Sequence, residues 1–238
     1  TGQHSITTAA RFNAPKVLAI DLSLSSLAYA KRKTKEFTIE NIEYMQADIL
    51  DLGKFNKQFD IIESLGVLHH MDNPIQGWKV LTDCLKPGGL MKIGLYSELA
   101  RQHIVKIREE IRQTGIGSSN AEMRSFRETI IRSDIDHHKL IIKSPDFYSL
   151  STLRDLLFHV QEHRFTIPLI KDYLNELGIK FCGFESSKIV SHFKKTNKDK
   201  KDPYDLDKWK VYEEANPIAF TAMYQFWCQK DLIKIPTL

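Results

Sequence analysis

The residues with the most evident chemistry in this sequence are carboxylates that close short apolar runs. Asp21 ends the run Val17-Leu18-Ala19-Ile20, and Asp48 follows Ile42-Glu43-Tyr44-Met45-Gln46-Ala47. Gly2 lies in a Thr-Gly-Gln turn about 20 residues before Asp21, the spacing at which a strand-end acid accepts both hydroxyls of a ribose diol. Asp48 is placed to accept from an adenine amino group. The rest of a glycine-rich phosphate cradle is not visible. Further along, Glu162-His163-Arg164 gathers three ionisable side chains just before Phe165, read either as a salt-bridged surface helix end or as part of an acceptor site. Two histidine pairs invite a metal reading. His69-His70 has no third ligand at metal spacing, and His137-His138, after Asp134 and Asp136, reads as a solvated helix junction. No metal is therefore expected.

The elements that must position these groups alternate. Val17–Ile20 is a buried strand, and Ser23 caps a helix to Lys33 with Leu24, Leu27 and Ala28 facing inward. Ile42–Ala47 and Phe59–Ser64 are strands. Asn73-Pro74 opens a helix whose inward face is Ile75, Trp78, Leu81 and Leu85. Lys86-Pro87-Gly88-Gly89 stops it, and Leu90–Leu95 is a strand. This order predicts an α/β fold with a mainly parallel sheet. Residues 98–164 break the rhythm with helices at Leu99–Gln113, Ala121–Ser133 and Leu153–Val160. A helix at Ile167–Leu177, a strand at Ile179–Phe184, a polar loop at Ser191–Asp207, a helix near Trp209–Glu214 and a strand at Ala222–Gln229 complete the chain. Thr8–Phe12 is too short to assign. The aromatics Phe220, Tyr224, Phe226 and Trp227 read as a buried strand rather than a nucleobase platform.

Composition bounds the class. The 238 residues are 42% hydrophobic and 27% charged, which excludes a disordered or fibrous chain. No apolar run approaches the roughly 18 residues of a membrane-spanning helix. The net charge of +4 is mild for a nucleic-acid module, and the lysines from Lys194 to Lys201 read as a solvated loop. Cys84, Cys182 and Cys228 are scattered, with no Cys-x-x-Cys, as expected of buried thiols in a reducing cytoplasm.

The motifs in series resemble class I S-adenosylmethionine-dependent methyltransferases. Thr1-Gly2-Gln3 is similar to the tail of their glycine-rich first motif, Val17–Asp21 to the second, and Ala47-Asp48-Ile49-Leu50 to the adenine-contacting motif. Phe59-Asp60-Ile61-Ile62 with Val67-Leu68-His69-His70, and Leu85-Lys86-Pro87-Gly88-Gly89, look like the family's fourth strand with its exit loop and the turn before its fifth. Asp146-Phe147-Tyr148-Ser149, Leu156–Phe165 and Met223–Trp227 resemble bacterial members often fused to upstream tetratricopeptide repeats.

The resemblance implies a Rossmann-like, mostly parallel, seven-stranded sheet with a terminal antiparallel hairpin, Ile179–Phe184 against Ala222–Gln229, and a helical insertion. The first, central strand is expected to lie upstream of Thr1. Residues 1–97 would form the cofactor-binding half, 98–164 an inserted acceptor lobe, and 165–238 the rest of the sheet. S-adenosyl-L-methionine is the implied cofactor. Asp21 would hold the ribose, Leu22 pack on the adenosine, and Asp48 and Ile49 bind the adenine. Gly2 and Gln3 would border the methionine moiety, and Ser64, Leu65, Gly66 and His69 would line the remaining cofactor surface.

The acceptor site would lie under the lobe, with Tyr96, His159, Glu162 and Arg164 as candidates and His163 and Tyr148 as catalytic candidates. Methyl transfer is an in-line displacement at a sulfonium, so the protein mainly aligns the nucleophile and excludes water. The acceptor is unidentified, a protein or small molecule before a nucleic acid, and the location cytoplasmic. A silent binding module on the same fold and a nicotinamide-dependent oxidoreductase are the competing readings. Binding of S-adenosylhomocysteine against NAD separates the second of these.

Overall fold

The computed structural model describes residues 2–11, 16–159 and 161–232. Two compact units divide the chain, Thr1–Gln58 and Phe59–Leu238. Phe12 and Val160, which fall in segments considered above, lie outside the described residues, as does Thr1.

The first unit holds α1 (Gln3–Arg11), β1 (Val17–Asp21), α2 (Leu24–Glu36) and β2 (Ile42–Gln46), followed by 3-10 turns over Ile49–Phe55. β1 and β2 pair in parallel from Val17↔Ile42 to Asp21↔Gln46. Parallel neighbours need a crossover, and α2 supplies it. Ser23 caps α2, its Oγ accepting from the Ser26 N–H at 3.2 Å. The inward face is Leu27, Ala30 and Thr34, spaced three and four apart. Leu24 and Ala28, expected inward, are exposed: Ala28 is turned about 100° from Leu27, and Leu24 is the first residue of the helix, at the margin of the stripe.

The second unit carries β3 (Phe59–Leu65), a 3-10 turn (Leu68–His70), α3 (Pro74–Asp83) and β4 (Leu85–Leu95). α4 (Gln102–Thr114), α5 (Asn120–Ile131), α6 (Asp136–Ile141) and α7 (Leu150–Leu157) form the helical lobe. α8 (Ile167–Glu176), β5 (Ile179–Phe184), α9 (Ser187–Phe193), α10 (Leu206–Ala215) and β6 (Tyr224–Lys230) return to the sheet. The strand order is β3-β4-β6-β5, with β3 and β4 parallel and β6 antiparallel to both β4 and β5. The mixed α/β, Rossmann-like architecture and the terminal hairpin are as expected. Among the described residues there are six strands rather than seven, in two sheets.

Local differences have local causes. β4 begins at Leu85, before the Pro-Gly-Gly turn, because Phe59 pairs with Leu85 while Ile61 already pairs with Leu90, so Lys86–Gly89 bulges out of the ladder. α6 was not anticipated; it is one short turn-and-a-half after Ile135. α9 occupies the start of the expected polar loop, with Ser186 as its cap and Phe193 fully buried against Trp209, ring centroids 3.8 Å apart. Phe220, Tyr224 and Phe226 are buried in this aromatic core.

The lobe has an apolar core of its own. Ile107, Met123, Ile130, Ile141, Phe147 and Leu153 are sealed from solvent between α4, α5, α6 and α7. A capping box starts α5: Ser119 Oγ accepts from the Glu122 N–H and Glu122 reaches back to the Ser119 N–H.

Candidate functional site

In the first unit the two carboxylates stand at the C-terminal ends of neighbouring parallel strands, the edge at which open α/β sheets bind ligands. Asp21 Oδ1 accepts from the Ser23 N–H at 2.8 Å, and Asp48 Oδ1 accepts from the Leu50 N–H at 2.9 Å. Each acid thus orders the turn that follows it. A carboxylate has about four acceptor positions, so this local bond leaves capacity for a ligand. Leu22 is 66% exposed beside Asp21, its carbonyl accepting from Gln46 Nε2 at 2.9 Å. Ile49 opens the 3-10 segment that Asp48 caps. Gln3 is the first residue of α1. Gly2 has φ +80°, and a Cβ there would fall 2.3 Å from Ala30 Cβ. Glycine is needed at this turn for packing on α2, whatever else approaches its backbone.

In the second unit, Ser64, Leu65 and Gly66 end β3. Gly66 has φ +75°, and a Cβ there would only touch Met223 Cε at 4.0 Å, so conformation rather than space demands glycine. Ser64 is buried and its Oγ has no hydrogen-bond partner. His69 is sealed from solvent with neither ring nitrogen partnered, and burial pushes its pKa down to about 2. The imidazole is neutral and carries a desolvation cost of about 1–3 kcal/mol for each unmet group.

A layered polar cluster surrounds His69. Its ring stacks on Tyr96 with centroids 3.7 Å apart, and the Arg101 guanidinium lies 3.5 Å from the Tyr96 ring centre. Arg101 donates two bonds to Glu162, Nε to Oε1 at 3.1 Å and Nη2 to Oε2 at 2.7 Å. Arg108 Nη1 stands 3.0 Å from Glu162 Oε2, and Arg164 Nη1 4.0 Å from Oε1. Arg164 is bound more closely by Glu98, at 2.9 Å. The Glu162 side chain is 1% exposed. Glu162-His163-Arg164 is an irregular segment and not a helix end; the Phe165 N–H donates to the Tyr96 carbonyl and pins it to the strand end.

The histidines are tied into the same cluster. The His163 N–H donates to the His69 carbonyl at 2.7 Å, and its ring lies 3.2 Å from Gln161 Nε2. His70 Nδ1 and His159 Nδ1 approach the Gln161 carbonyl at 2.9 and 2.7 Å, and their rings are 4.1 Å apart. A carbonyl only accepts, so in His70 the proton sits on Nδ1 and Nε2 keeps its lone pair. His159 Nδ1 also faces the Gln161 N–H at 3.2 Å, an acceptor's contact beside the donor's. Burial lowers the pKa of His70, partly opposed by that hydrogen bond, and burial raises that of Tyr96.

Tyr96, His159, Glu162, His163 and Arg164 are thus brought together with His69. Tyr148 is held elsewhere: it is 57% exposed, its hydroxyl donating to the Ile142 carbonyl at 2.8 Å within the lobe. Sequence reasoning missed Arg101, Arg108 and His70. Arg101 and Arg108 give no sequence signal, since their partner Glu162 is far away in the chain. His70 was visible as half of a pair and was passed over.

Comparison with known proteins follows the fold. Residues 1–89 match the family described as "Methyltransferase domain". An uncharacterized protein of Synechococcus is 26% identical over 178 residues, 71% of this chain and 42% of its own length. Among solved structures, PKMT2 from Rickettsia typhi in complex with AdoHcy superposes with a TM-score of 0.63 at 18% identity, covering 92% of this chain and 44% of that one. The plantazolicin methyltransferase BamL, in complex with a triazolic desmethylPZN analog and SAH, gives 0.50 at 16% identity, covering 97% and 73%. The chain spans less than half the length of the Synechococcus and Rickettsia proteins.

Proposed function

We propose that this protein transfers the methyl group of S-adenosyl-L-methionine to an acceptor by in-line displacement. The observation that carries the reading is the pair of strand-end carboxylates, Asp21 and Asp48, inside the stretch that matches a methyltransferase domain. The orphaned Ser64 and His69 atoms add support, because both residues stand where the resemblance assigns cofactor contacts. A likeness to proteins bound to AdoHcy or SAH supports the same choice of ligand.

When bound, the cofactor supplies a sulfonium methyl whose leaving group is already activated by its charge. Asp21 would accept from the ribose hydroxyls, with Leu22 against the adenosine and Asp48 and Ile49 on the adenine. Gly2 and Gln3 would border the methionine moiety, and the resemblance would give Ser64, Leu65, Gly66 and His69 the remaining cofactor contacts. Around Tyr96 the buried rings exclude water and orient the acceptor, which can be worth roughly 7–11 kcal/mol. A base is needed only for an acceptor protonated at neutral pH. His163, His159 and His70 are the candidates, His70 through its Nε2. Glu162 and Arg164 would hold that surface in place. A protein or small-molecule acceptor, an upstream tetratricopeptide region, a bacterial source and a cytoplasmic location belong to the same proposal and rest on resemblance.

Calorimetric titration tests it. S-adenosylhomocysteine should bind and NAD should not, and Asp21→Ala should weaken S-adenosylhomocysteine about 10–100-fold, as expected for loss of a charged acceptor of two hydroxyls. Tight NAD binding with no response to the thioether would overturn the proposal.

A further inference from the structure

The helical lobe holds a second cluster that methyl transfer does not use. Glu110 on α4 faces His137 and His138 in the first turn of α6. His138 Nε2 lies 2.7 Å from Glu110 Oε2, and His137 Nε2 contacts Oε1 of the same carboxylate. The three ligand atoms all lie within 4.8 Å of one another. Adjacent helical residues normally point about 100° apart, yet here both imidazoles converge on one acid, which reaches between them from the neighbouring helix.

We propose that Glu110, His137 and His138 form a binding site for one divalent transition-metal ion of the zinc class. Two imidazole nitrogens and a carboxylate are the donor set of three-ligand zinc sites that keep a fourth position open. A cation about 2.0–2.2 Å from each donor would hold them roughly 3.3 Å apart, a small opening of the present cluster. The burial is graded as such a site requires: the His138 side chain is 6% exposed, His137 19% and Glu110 32%. A further hydrogen bond sets the ring orientation, for Ser133 Oγ stands 2.8 Å from His138 Nδ1 and leaves Nε2 toward Glu110. Room for a fourth ligand is present. Glu110 and His138 border a cavity of about 400 Å³ whose wall includes Thr114, Ser125 and Thr129. A water or small anion entering there reaches the open position. Such an ion would clamp α6 to α4 and present a Lewis acid to that cavity, independently of the methyl-transfer reading.

The test is a calorimetric titration of the chelator-treated chain with zinc chloride, repeated on Glu110→Gln, His138→Ala and His192→Ala. His192 is exposed and bonded to Tyr212, far from these residues in sequence, and controls for adventitious histidine binding. One saturable equivalent is expected, weakened more than about tenfold by Glu110→Gln and His138→Ala and unchanged by His192→Ala. Glu110→Gln keeps size and hydrogen bonding, and circular dichroism checks its fold. A second readout needs no variant: zinc should slow diethyl pyrocarbonate modification of the more exposed His137 and leave His192 reactive. No saturable zinc equivalent, less than tenfold weakening in folded Glu110→Gln, or an unprotected His137 would each overturn the site and leave the cluster a carboxylate–imidazole clamp.

Discussion

Asp21 at a strand end and Glu162 in an irregular segment are both acids, and they are held in opposite ways. Asp21 bonds a backbone N–H two residues further on and keeps most of its acceptor capacity. Glu162 accepts both bonds from Arg101, 61 residues away, has Arg108 at 3.0 Å, and is almost sealed from solvent. The difference separates a group built to receive a ligand from one built to hold others in place. An acid with a local partner costs little to keep and can change partners when a ligand arrives. An acid out of solvent whose oxygens already face guanidinium groups has little capacity left for a substrate. Glu162 stood with the acceptor-site candidates; its geometry fits the positioning of Arg101, and through Arg101 the Tyr96 ring.

The largest effect that could break this contrast is Glu162→Ala. It strands Arg101, only 2% exposed, without its anion. Removing one partner of a buried ion pair costs about 3–5 kcal/mol, to be read from urea unfolding at neutral pH. The loss should far exceed that of Asp21→Ala, whose local turn bond is worth about 1 kcal/mol. Equal costs would mean that Glu162 is as dispensable to the fold as Asp21.

His69 sharpens the same comparison through pH. Its pKa is pushed down to about 2 in the fold, by burial first and then by the nearby cationic groups, against about 6.5 in an unfolded chain. As pH falls below 6.5, the unfolded state takes the proton first. The stability is therefore present above pH 6.5 and is lost as the pH falls toward 2, at up to about 1.4 kcal/mol per pH unit. His69→Phe keeps a ring on Tyr96 and removes both unpartnered nitrogens. Urea unfolding from pH 7 to 4.5 should show the variant gaining on the parent by about 2–3 kcal/mol. A constant gap would show that His69 takes its proton while folded.

What the sequence could reveal follows the same divide. Asp21, Asp48, Ser23 and Asn73 were legible because each acts on backbone within a few residues, where spacing alone sets geometry. The alternation of strands and helices was legible for the same reason. Leu24 was misplaced because its helix face depends on which side of α2 meets the strands. The cluster around Glu162 was half legible. Its residue types stood out, but Arg101 and Arg108 arrive from α4 and its N-terminal edge through long-range closure that no local pattern encodes. The convergence of Glu110 on His137 and His138 is of that kind too, since it needs α6, which itself was not anticipated.

The smallest expected effect isolates the local bond from the ligand role at Asp48. Its Oδ1 caps the 3-10 segment by accepting from the Leu50 N–H. Asp48→Ala removes that acceptor and should cost about 1 kcal/mol, the usual loss for an N-terminal cap. Asp48→Asn retains a side-chain carbonyl, so urea unfolding should return to within a few tenths of a kcal/mol of the parent. The same carbonyl can accept from an adenine amino group, so Asp48→Asn should also retain most of the affinity for S-adenosylhomocysteine that Asp48→Ala loses. If Asp48→Asn restores stability but not affinity, the negative charge itself is the cofactor determinant. Asp48 would then resemble Asp21 in more than its position at a strand end.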